Sequence, residues 1–155
     1  MQNEEIILKL IEKNITIATA ESCTGGSLGK IITSVSGVSS IYGYGFITYA
    51  NDAKEKVLGV SHDTLEKYGA VSFQTACEMA QGARKAAKSD IGVSVTGIAG
   101  PGGGTPEKPV GLVYIAIADE SGTQYRKLNL DGNRNEVRQK TCDEVFKLVK
   151  DRLKL

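Results

Sequence analysis

The sequence has a single histidine, His62, and only three cysteines among its 155 residues. One histidine leaves little from which to build a zinc site or a Ser-His-Asp triad. The cysteines, at positions 23, 77 and 142, lack the spacing of a metal-binding motif, and we expect them to be reduced thiols. The scarcity of imidazole and paired thiols argues against a metal site, so any acid-base catalysis must use another group.

The chain also lacks an excess of either charge, since 19 Lys and Arg residues are balanced by 18 Asp and Glu residues. This balance gives no electrostatic reason to expect nucleic acid or an anionic membrane as a partner. The longest apolar run, from Val110 to Ala118, is too short to cross a bilayer. The first residues, Met1 to Glu5, do not resemble a signal peptide, so we expect a cytoplasmic protein.

Helical and strand patterns alternate along the chain and predict one domain over residues 1–155. Mixed helices and strands indicate the α/β class, as a three-layer α/β/α sandwich with a mixed, mainly parallel sheet of about five strands. A tight turn at 119–122 predicts one antiparallel pair. The predicted strands cover 15–20, 41–50, 91–96, 110–118 and 123–130, and the predicted helices cover about 6–11, 24–35, 51–58, 63–68, 72–88 and 134–153.

Ser22 lies where the first strand gives way to a helix, in the segment Thr19-Ala20-Glu21-Ser22-Cys23-Thr24-Gly25-Gly26. Open α/β sheets place their ligands at this edge, beside free N–H groups and a helix dipole. Ser22 could therefore be a nucleophile, with the N–H groups of residues 23–26 as oxyanion donors. The competing interpretation is that Ser22 or Thr24 caps the helix, which is the more common use of such a residue.

Lys54 is the best candidate for a base. If Asn51 caps the third helix, Lys54 falls in its first turn, where the helix dipole disfavours a cation and lowers the pKa. Ser-Lys pairs perform acyl transfer on several unrelated folds. Tyr49, at the end of the preceding strand, could relay a proton. Lys30 is a weaker candidate because it lies about two turns beyond Ser22.

Cys23 is an alternative nucleophile, because a helix start favours a thiolate and His62 could serve as its partner. Adjacent residues leave a helix start in different directions, so only one of Ser22 and Cys23 is expected to face a substrate. We interpret Cys23 as a packed small residue and His62 as part of an exposed capping segment.

The segment from Gly97 to Pro109 holds five glycines and all three prolines, and it directly follows a predicted strand. Glycines let backbone N–H groups approach an anion closely. The segment is neither a Walker A loop nor a GxGxxG fingerprint, but loops of this length are uncommon unless they function. Arg134 and Arg138, one turn apart at a helix start, could clamp a phosphate or carboxylate, or could pair with Asp131 and Glu136 at the surface.

Three long segments in this order resemble the CinA C-terminal family: residues 19–26, Gly45 to Lys54, and Thr96 to Gly111. The enzymatic members of that family are nicotinamide mononucleotide deamidases (PncC-type). The resemblance covers essentially the whole chain. It implies a cofactor-independent amidase that forms nicotinic acid mononucleotide and ammonia, and its Ser-Tyr-Lys catalytic set falls on Ser22, Tyr49 and Lys54. It also implies a homodimer and the stand-alone form, without the additional N-terminal molybdopterin-binding-like domain of many relatives.

The leading hypothesis is therefore amide hydrolysis by Ser22 in pyridine nucleotide salvage, with Lys54 as the base. The predicted oxyanion donors are the N–H groups of Cys23, Thr24, Gly25 and Gly26. The ribose phosphate is expected to bind Thr96, Gly97, Gly100, Gly102 and Gly103, together with Arg134 or Arg138. The alternative is a non-catalytic nucleotide-binding or regulatory module linked to competence, which would not need Ser22, Tyr49 and Lys54 together.

Overall fold

A computed structural model describes residues 2–155 of the chain. Helices α1 to α6 span Gln2–Glu12, Ser27–Thr33, Asn51–Leu58, His62–Tyr68, Phe73–Ala87 and Arg134–Leu153. Strands β1 to β5 span Ile17–Glu21, Tyr44–Ile47, Ile91–Gly97, Leu112–Asp119 and Gly122–Asn129, and a short 3₁₀ helix covers Val38–Ser40. None of the helices within residues 2–155 has the length and apolar composition that crossing a membrane requires.

The five strands form one mixed sheet in the order β2-β1-β3-β4-β5. Strand β1 is parallel to β2 and β3, whereas β4 is antiparallel to both β3 and β5. All strands except β4 therefore run in the same direction, which confirms the mixed, mainly parallel sheet. The antiparallel pair predicted at the 119–122 turn is confirmed as β4–β5. A second antiparallel pair, β3–β4, is present as well, because residues 98–111 between these strands contain no helix. A parallel neighbour needs a long crossover, usually a helix.

The sheet is covered on both faces, as the three-layer prediction requires. Small residues on one face, such as Ala116 and Ala118, allow α5 to pack closely through its own alanines, Ala76 and Ala80. At Gly92, a Cβ atom would lie only 2.3 Å from the carbonyl oxygen of Ala80. The opposite face carries larger apolar side chains, which pack against α1, α2 and α6: Ile17, Val93, Val95, Val113, Ile115 and Ile117.

Two predicted elements are shorter than their patterns suggested. Helix α2 begins at Ser27 rather than near Thr24, because Gly25 and Gly26 adopt positive φ angles of 57° and 106° that an α-helix cannot contain. Strand β2 covers only Tyr44–Ile47 of the predicted 41–50. The consequence for the site is a tight turn of residues 22–26 between β1 and α2.

Candidate active site

Ser22 lies immediately after the end of β1, at the carboxyl edge of the parallel part of the sheet. Its backbone N–H donates to the carbonyl oxygen of Val95 in β3, over 3.0 Å. The side chain is largely covered, with 9% of the residue exposed. The hydroxyl therefore projects from a position that is held by the central strands.

Lys54 reaches the Ser22 hydroxyl from the first turn of α3. Its Nζ atom lies 3.0 Å from the Ser22 Oγ atom, 2.9 Å from the carbonyl oxygen of Thr48 and 3.0 Å from that of Tyr49. The residue is only 1% exposed. Asn51 was predicted to cap α3, but the capping position is Ala50, which has no capping side chain. Lys54 nevertheless occupies the first turn, where its N–H donates to the Ala50 carbonyl.

Burial lowers the pKa of Lys54 below the ordinary lysine value of 10.5, and the nearby Cys23 partly opposes this effect. The physical cause is loss of water around the cation, which disfavours the charged form. The predicted lowering of the Lys54 pKa thus has the expected direction, but its principal cause is burial and not the helix dipole. Two carbonyl oxygens accept two N–H groups of a neutral amine, which leaves the lone pair for the Ser22 hydroxyl.

Cys23 is a packed side chain, as predicted. It is 6% exposed, and burial raises the pKa of its thiol to about 12. His62, the partner considered for it, instead lies at the exposed start of α4, with Nδ1 2.7 Å from a Glu55 carboxylate oxygen. A Cys-His pair is therefore excluded as the source of a nucleophile.

Two of the four predicted oxyanion donors are already engaged. The N–H of Gly25 donates to the Ser22 carbonyl over 3.1 Å, and the N–H of Gly26 donates to the Glu21 carboxylate over 3.3 Å. The N–H groups of Cys23 and Thr24 have no oxygen acceptor within residues 2–155. The predicted capping role of Ser22 or Thr24 was wrong, because the capping position of α2 is Gly26.

Glu21 accepts the N–H groups at the start of α2, a role that was not predicted from the sequence. This side chain is 2% exposed, and its carboxylate accepts hydrogen bonds from the N–H groups of Gly26, Leu28 and Gly29. The available signal was a lone carboxylate at the end of an otherwise uncharged strand, directly before the turn. A buried charge at that position needs several donors.

Tyr49 contributes to the Ser22–Lys54 contact through its backbone carbonyl rather than its hydroxyl. The residue is 61% exposed, and its hydroxyl accepts a hydrogen bond from Arg134 over 3.1 Å. Among residues 2–155, no hydrogen bond joins this hydroxyl to Ser22 or Lys54. The geometry thus favours direct proton transfer between Lys54 and Ser22 over a relay through the phenol.

Arg134 and Arg138 extend from the start of α6 to the two loops of the site. Arg134 also donates to the Gly100 carbonyl over 2.8 Å, while Arg138 donates to the Thr24 carbonyl over 2.8 Å. In the described part of the chain, neither guanidinium lies within 4.0 Å of a carboxylate. The alternative in which they pair with Asp131 and Glu136 at the surface was therefore wrong.

The glycine-rich loop of residues 97–109 forms one wall of a cavity of about 200 Å³ beside the turn of residues 22–26. A second cavity, of about 530 Å³, is adjacent, and Ala99 and Arg134 line both cavities. Thr96 was predicted to bind substrate, but it is 1% exposed and donates to the Ala70 carbonyl over 2.8 Å. The residues that line the first cavity are Cys23, Tyr49, Gly97, Ile98, Ala99, Gly100, Gly102, Gly103 and Arg134.

Comparison with known proteins identifies the family of this chain. The sequence profile of the CinA C-terminal domain matches residues 1–153. The chain belongs to the CinA C-terminal domain family. Within residues 2–155 of this CinA-family chain, no group of three or more His, Cys, Asp or Glu side chains could hold a metal ion.

Relatives of this CinA domain carry names of the same kind. The chain is 57% identical over 141 residues to a sequence named as a competence-damage inducible protein from Acetivibrio thermocellus, covering 91% of this chain and 34% of the relative. A CinA-like protein of Kosmotoga olearia is 54% identical over 140 residues, covering 90% and 34%. The chain thus spans about a third of the length of these curated relatives.

Solved structures show the same CinA fold over nearly the whole chain. The crystal structure of competence/damage inducible protein CihA from Agrobacterium tumefaciens superposes with a TM-score of 0.91 at 41% identity, covering 96% of this chain and 94% of that one. A CinA superfamily protein from Klebsiella pneumoniae superposes with a TM-score of 0.94 at 28% identity, covering 98% and 95%.

Proposed function

We propose that this chain is a serine amidase that hydrolyses nicotinamide mononucleotide to nicotinic acid mononucleotide and ammonia. The observation that carries the proposal is the 3.0 Å contact between Lys54 Nζ and Ser22 Oγ, in which the amine is buried. A nucleophile and base at this distance are the arrangement that acyl transfer requires. The pyridine nucleotide is suggested by the resemblance to the enzymatic members of the family.

In the first half of the reaction, neutral Lys54 removes the proton of the Ser22 hydroxyl, and the Oγ atom attacks the carboxamide carbon. The N–H groups of Cys23 and Thr24 are the proposed donors to the oxyanion, since no oxygen of residues 2–155 accepts from them. Lys54 then donates a proton to the amide nitrogen as the C–N bond breaks. Ammonia departs, and the acyl group remains as an ester on Ser22.

In the second half, a water molecule attacks the ester while Lys54 accepts one of its protons. The C–O bond to Ser22 breaks, the hydroxyl regains its proton from Lys54, and the pyridine carboxylate is released. The carbonyl oxygens of Thr48 and Tyr49 hold the amine in one orientation throughout. The chemistry needs no metal or organic cofactor because the chain supplies nucleophile, base and oxyanion donors.

The proposed substrate site is the cavity between the glycine-rich loop and residues 22–26, which we call the nucleophile turn. Arg134 is exposed at this cavity and has no carboxylate partner in the described residues, so its charge is available to a phosphate. The exposed ring of Tyr49 lies on the same wall and offers an aromatic face to a pyridine ring. Gly102 leaves open space at this wall, since a Cβ atom there would meet nothing within 4 Å.

We further propose that the chain works in the cytoplasm, in pyridine nucleotide salvage, as a homodimer. Its three cysteines are free thiols, as expected of a reducing compartment. Strand β2 is an unpaired edge of the sheet, with Tyr44 54% and Ile47 59% exposed. Such an apolar edge is a template for pairing with a second chain.

The decisive experiment is a measurement of ammonia release from nicotinamide mononucleotide by wild type, Ser22→Ala and Lys54→Met, with Cys23→Ala as the matched control. We expect both site variants to lose at least about a thousandfold in kcat/KM, while Cys23→Ala keeps most of its activity. No release by folded wild type would reject the amidase and leave the non-catalytic nucleotide-binding module. Activity that survives Ser22→Ala but not Cys23→Ala would assign the nucleophile to the thiol.

A further inference from the structure

Glu21 joins the two halves of the candidate active site. Its backbone carbonyl accepts the N–H of Thr48 over 2.9 Å, and the Thr48 carbonyl in turn holds the Lys54 amine. Its side chain turns the other way, to the start of α2. Glu21 is thus bonded both to the segment that carries the base and to the turn that carries Ser22.

The Glu21 carboxylate takes up the N–H groups at the start of α2 that Ser22 and its turn leave free. One oxygen accepts from Leu28 over 2.8 Å and from Gly26 over 3.3 Å, and the other accepts from Gly29 over 3.1 Å. The remaining N–H of the first turn, that of Ser27, donates to the Thr24 carbonyl. An external anion therefore finds no free donor at this helix start.

No cation balances this buried carboxylate. Among residues 2–155, no lysine, arginine or histidine nitrogen lies within 4.0 Å of it. In the described residues, the hydrogen bonds to this carboxylate come from backbone N–H groups, so the positions of those groups are tied to the carboxylate. Residues 22–25 lie between Glu21 and the first of these donors, Gly26, so the hydrogen bond closes a loop that fixes the conformation of the turn.

We propose that Glu21 is a positioning residue, whose carboxylate fixes the nucleophile turn so that the N–H groups of Cys23 and Thr24 stay free beside the Ser22 hydroxyl. This inference rests on the proposed amidase. Glu21 touches neither substrate nor reacting atoms. It occupies the donors of α2 internally, and the oxyanion is received by the turn rather than by the helix.

The test is Glu21→Gln, which keeps the size of the side chain and replaces one acceptor oxygen by an NH₂ group that cannot accept from an N–H. We expect kcat for nicotinamide mononucleotide to fall by about tenfold or more, because small displacements of reacting groups have large effects on rate. KM should stay within about twofold, since the cavity and Arg134 are unchanged. A general loss of stability would not separate kcat from KM in this way.

Ser94→Ala is the matched control. Ser94 is 0% exposed, lies in β3 opposite Ala20, and donates to the Ala76 carbonyl on the far side of the sheet from α2. The substitution removes a buried hydrogen bond without touching the turn, so kcat and KM should both match those of wild type. Thermal unfolding of the variants verifies that each is folded.

A second readout does not depend on turnover. In the Ser22→Ala background, Glu21→Gln should shift the amide NMR signals of Gly26, Leu28 and Gly29 while leaving β4 and β5 unchanged. Wild-type kcat in folded Glu21→Gln, or unchanged amide signals, would overturn the positioning role and leave the amidase intact. Absence of ammonia release by wild type is the separate result that rejects the amidase.

Discussion

The Nζ atom of Lys54 lies 3.0 Å from the Oγ atom of Ser22, although 32 positions separate the two residues in the chain. The cause is the parallel pairing of β1 and β2, whose carboxyl ends lie side by side. Ser22 follows the first strand, and Lys54 lies in the first turn of the helix that follows the second. A lysine that would be solvated on an isolated helix is thereby buried against a hydroxyl.

The rate of the proposed reaction should depend on pH through Lys54. Burial lowers its pKa, and only the neutral amine can accept the Ser22 proton. We therefore expect kcat/KM to rise with pH and to level off below pH 10.5, the ordinary lysine value. The measurement is a profile of ammonia release over pH 6 to 10, and a flat profile between about pH 6 and 9 contradicts the role of Lys54 as base.

Replacement of Lys54 by arginine separates a base from a mere positive charge. Arginine keeps the cation but does not lose its proton in this pH range. We expect Lys54→Arg to be as inactive as Lys54→Met over the whole profile. Substantial activity in Lys54→Arg alone would mean that the charge, and not proton transfer, is what the reaction needs.

Arg134 should determine affinity for the phosphate of the substrate. Arg134→Ala removes one charge-assisted interaction, so we expect KM for nicotinamide mononucleotide to rise by roughly tenfold or more with a smaller change in kcat. Nicotinamide riboside, which lacks the phosphate, is the matched substrate, and Arg134→Ala should handle it about as well as wild type does. An equal loss with both substrates would show that Arg134 acts through Tyr49 or Gly100 instead.

The exposed edge of the sheet gives a test of the homodimer. Tyr44→Lys places a charge on β2, and charged edge residues oppose strand pairing. We expect wild type to have the mass of two chains in light scattering after size-exclusion chromatography. The Tyr44→Lys dimer should dissociate at a higher protein concentration than the wild-type dimer does. Leu8→Lys, at a 47% exposed apolar position on α1, is the control and should stay dimeric. A monomeric wild type would contradict the homodimer.

Asp119 and Arg152 form a bidentate ion pair between the end of β4 and the end of α6, with contacts of 2.8 Å and 2.9 Å. The Arg152 hydrogen bonds hold the pKa of Asp119 well below its usual value of 3.8. Because the folded-state pKa is the lower one, the stabilisation is present above the unfolded pKa and is lost as pH falls through the folded one.

Asp119→Asn should therefore lower the free energy of unfolding by about 1 kcal/mol at pH 7, measured by urea titration. The difference from wild type should shrink as pH falls below about 4. Glu144→Gln, which breaks the more exposed pair with Lys147, is the control and should cost less than about 0.5 kcal/mol. A loss for Asp119→Asn that is independent of pH would contradict this account.

Most helices and strands were predicted from the hydrophobic periodicity of the sequence. The helices predicted over 72–88 and 134–153 are α5 and α6, which span Phe73–Ala87 and Arg134–Leu153, and Ser72 caps α5 by accepting the Thr75 N–H. The position of Ser22 at the carboxyl edge of the sheet was also predicted, from the change of strand to helix pattern. These inferences need only local patterns and the geometry of a parallel sheet.

Other features depend on which donors are already occupied, and local patterns do not contain that information. Gly25 and Gly26 were predicted to serve an oxyanion, yet their N–H groups bind Ser22 and Glu21 inside the protein. Thr96 precedes the glycine-rich loop, but its hydroxyl turns away to Ala70. In both cases the answer follows from contacts between elements distant in sequence.

The hydrogen bond from the Ser22 N–H to the Val95 carbonyl bears on how the structure around the proposed nucleophile resists heat. The proposed nucleophile begins where β1 ends, and β1 is flanked by strands on both sides rather than lying at a frayed margin. Local unfolding of α1 or of the β4–β5 hairpin can occur while the pairing of β1 with its neighbours persists. Catalysis also needs Lys54, which follows the edge strand β2, so heat should abolish it once either β2 or the centre of the sheet separates.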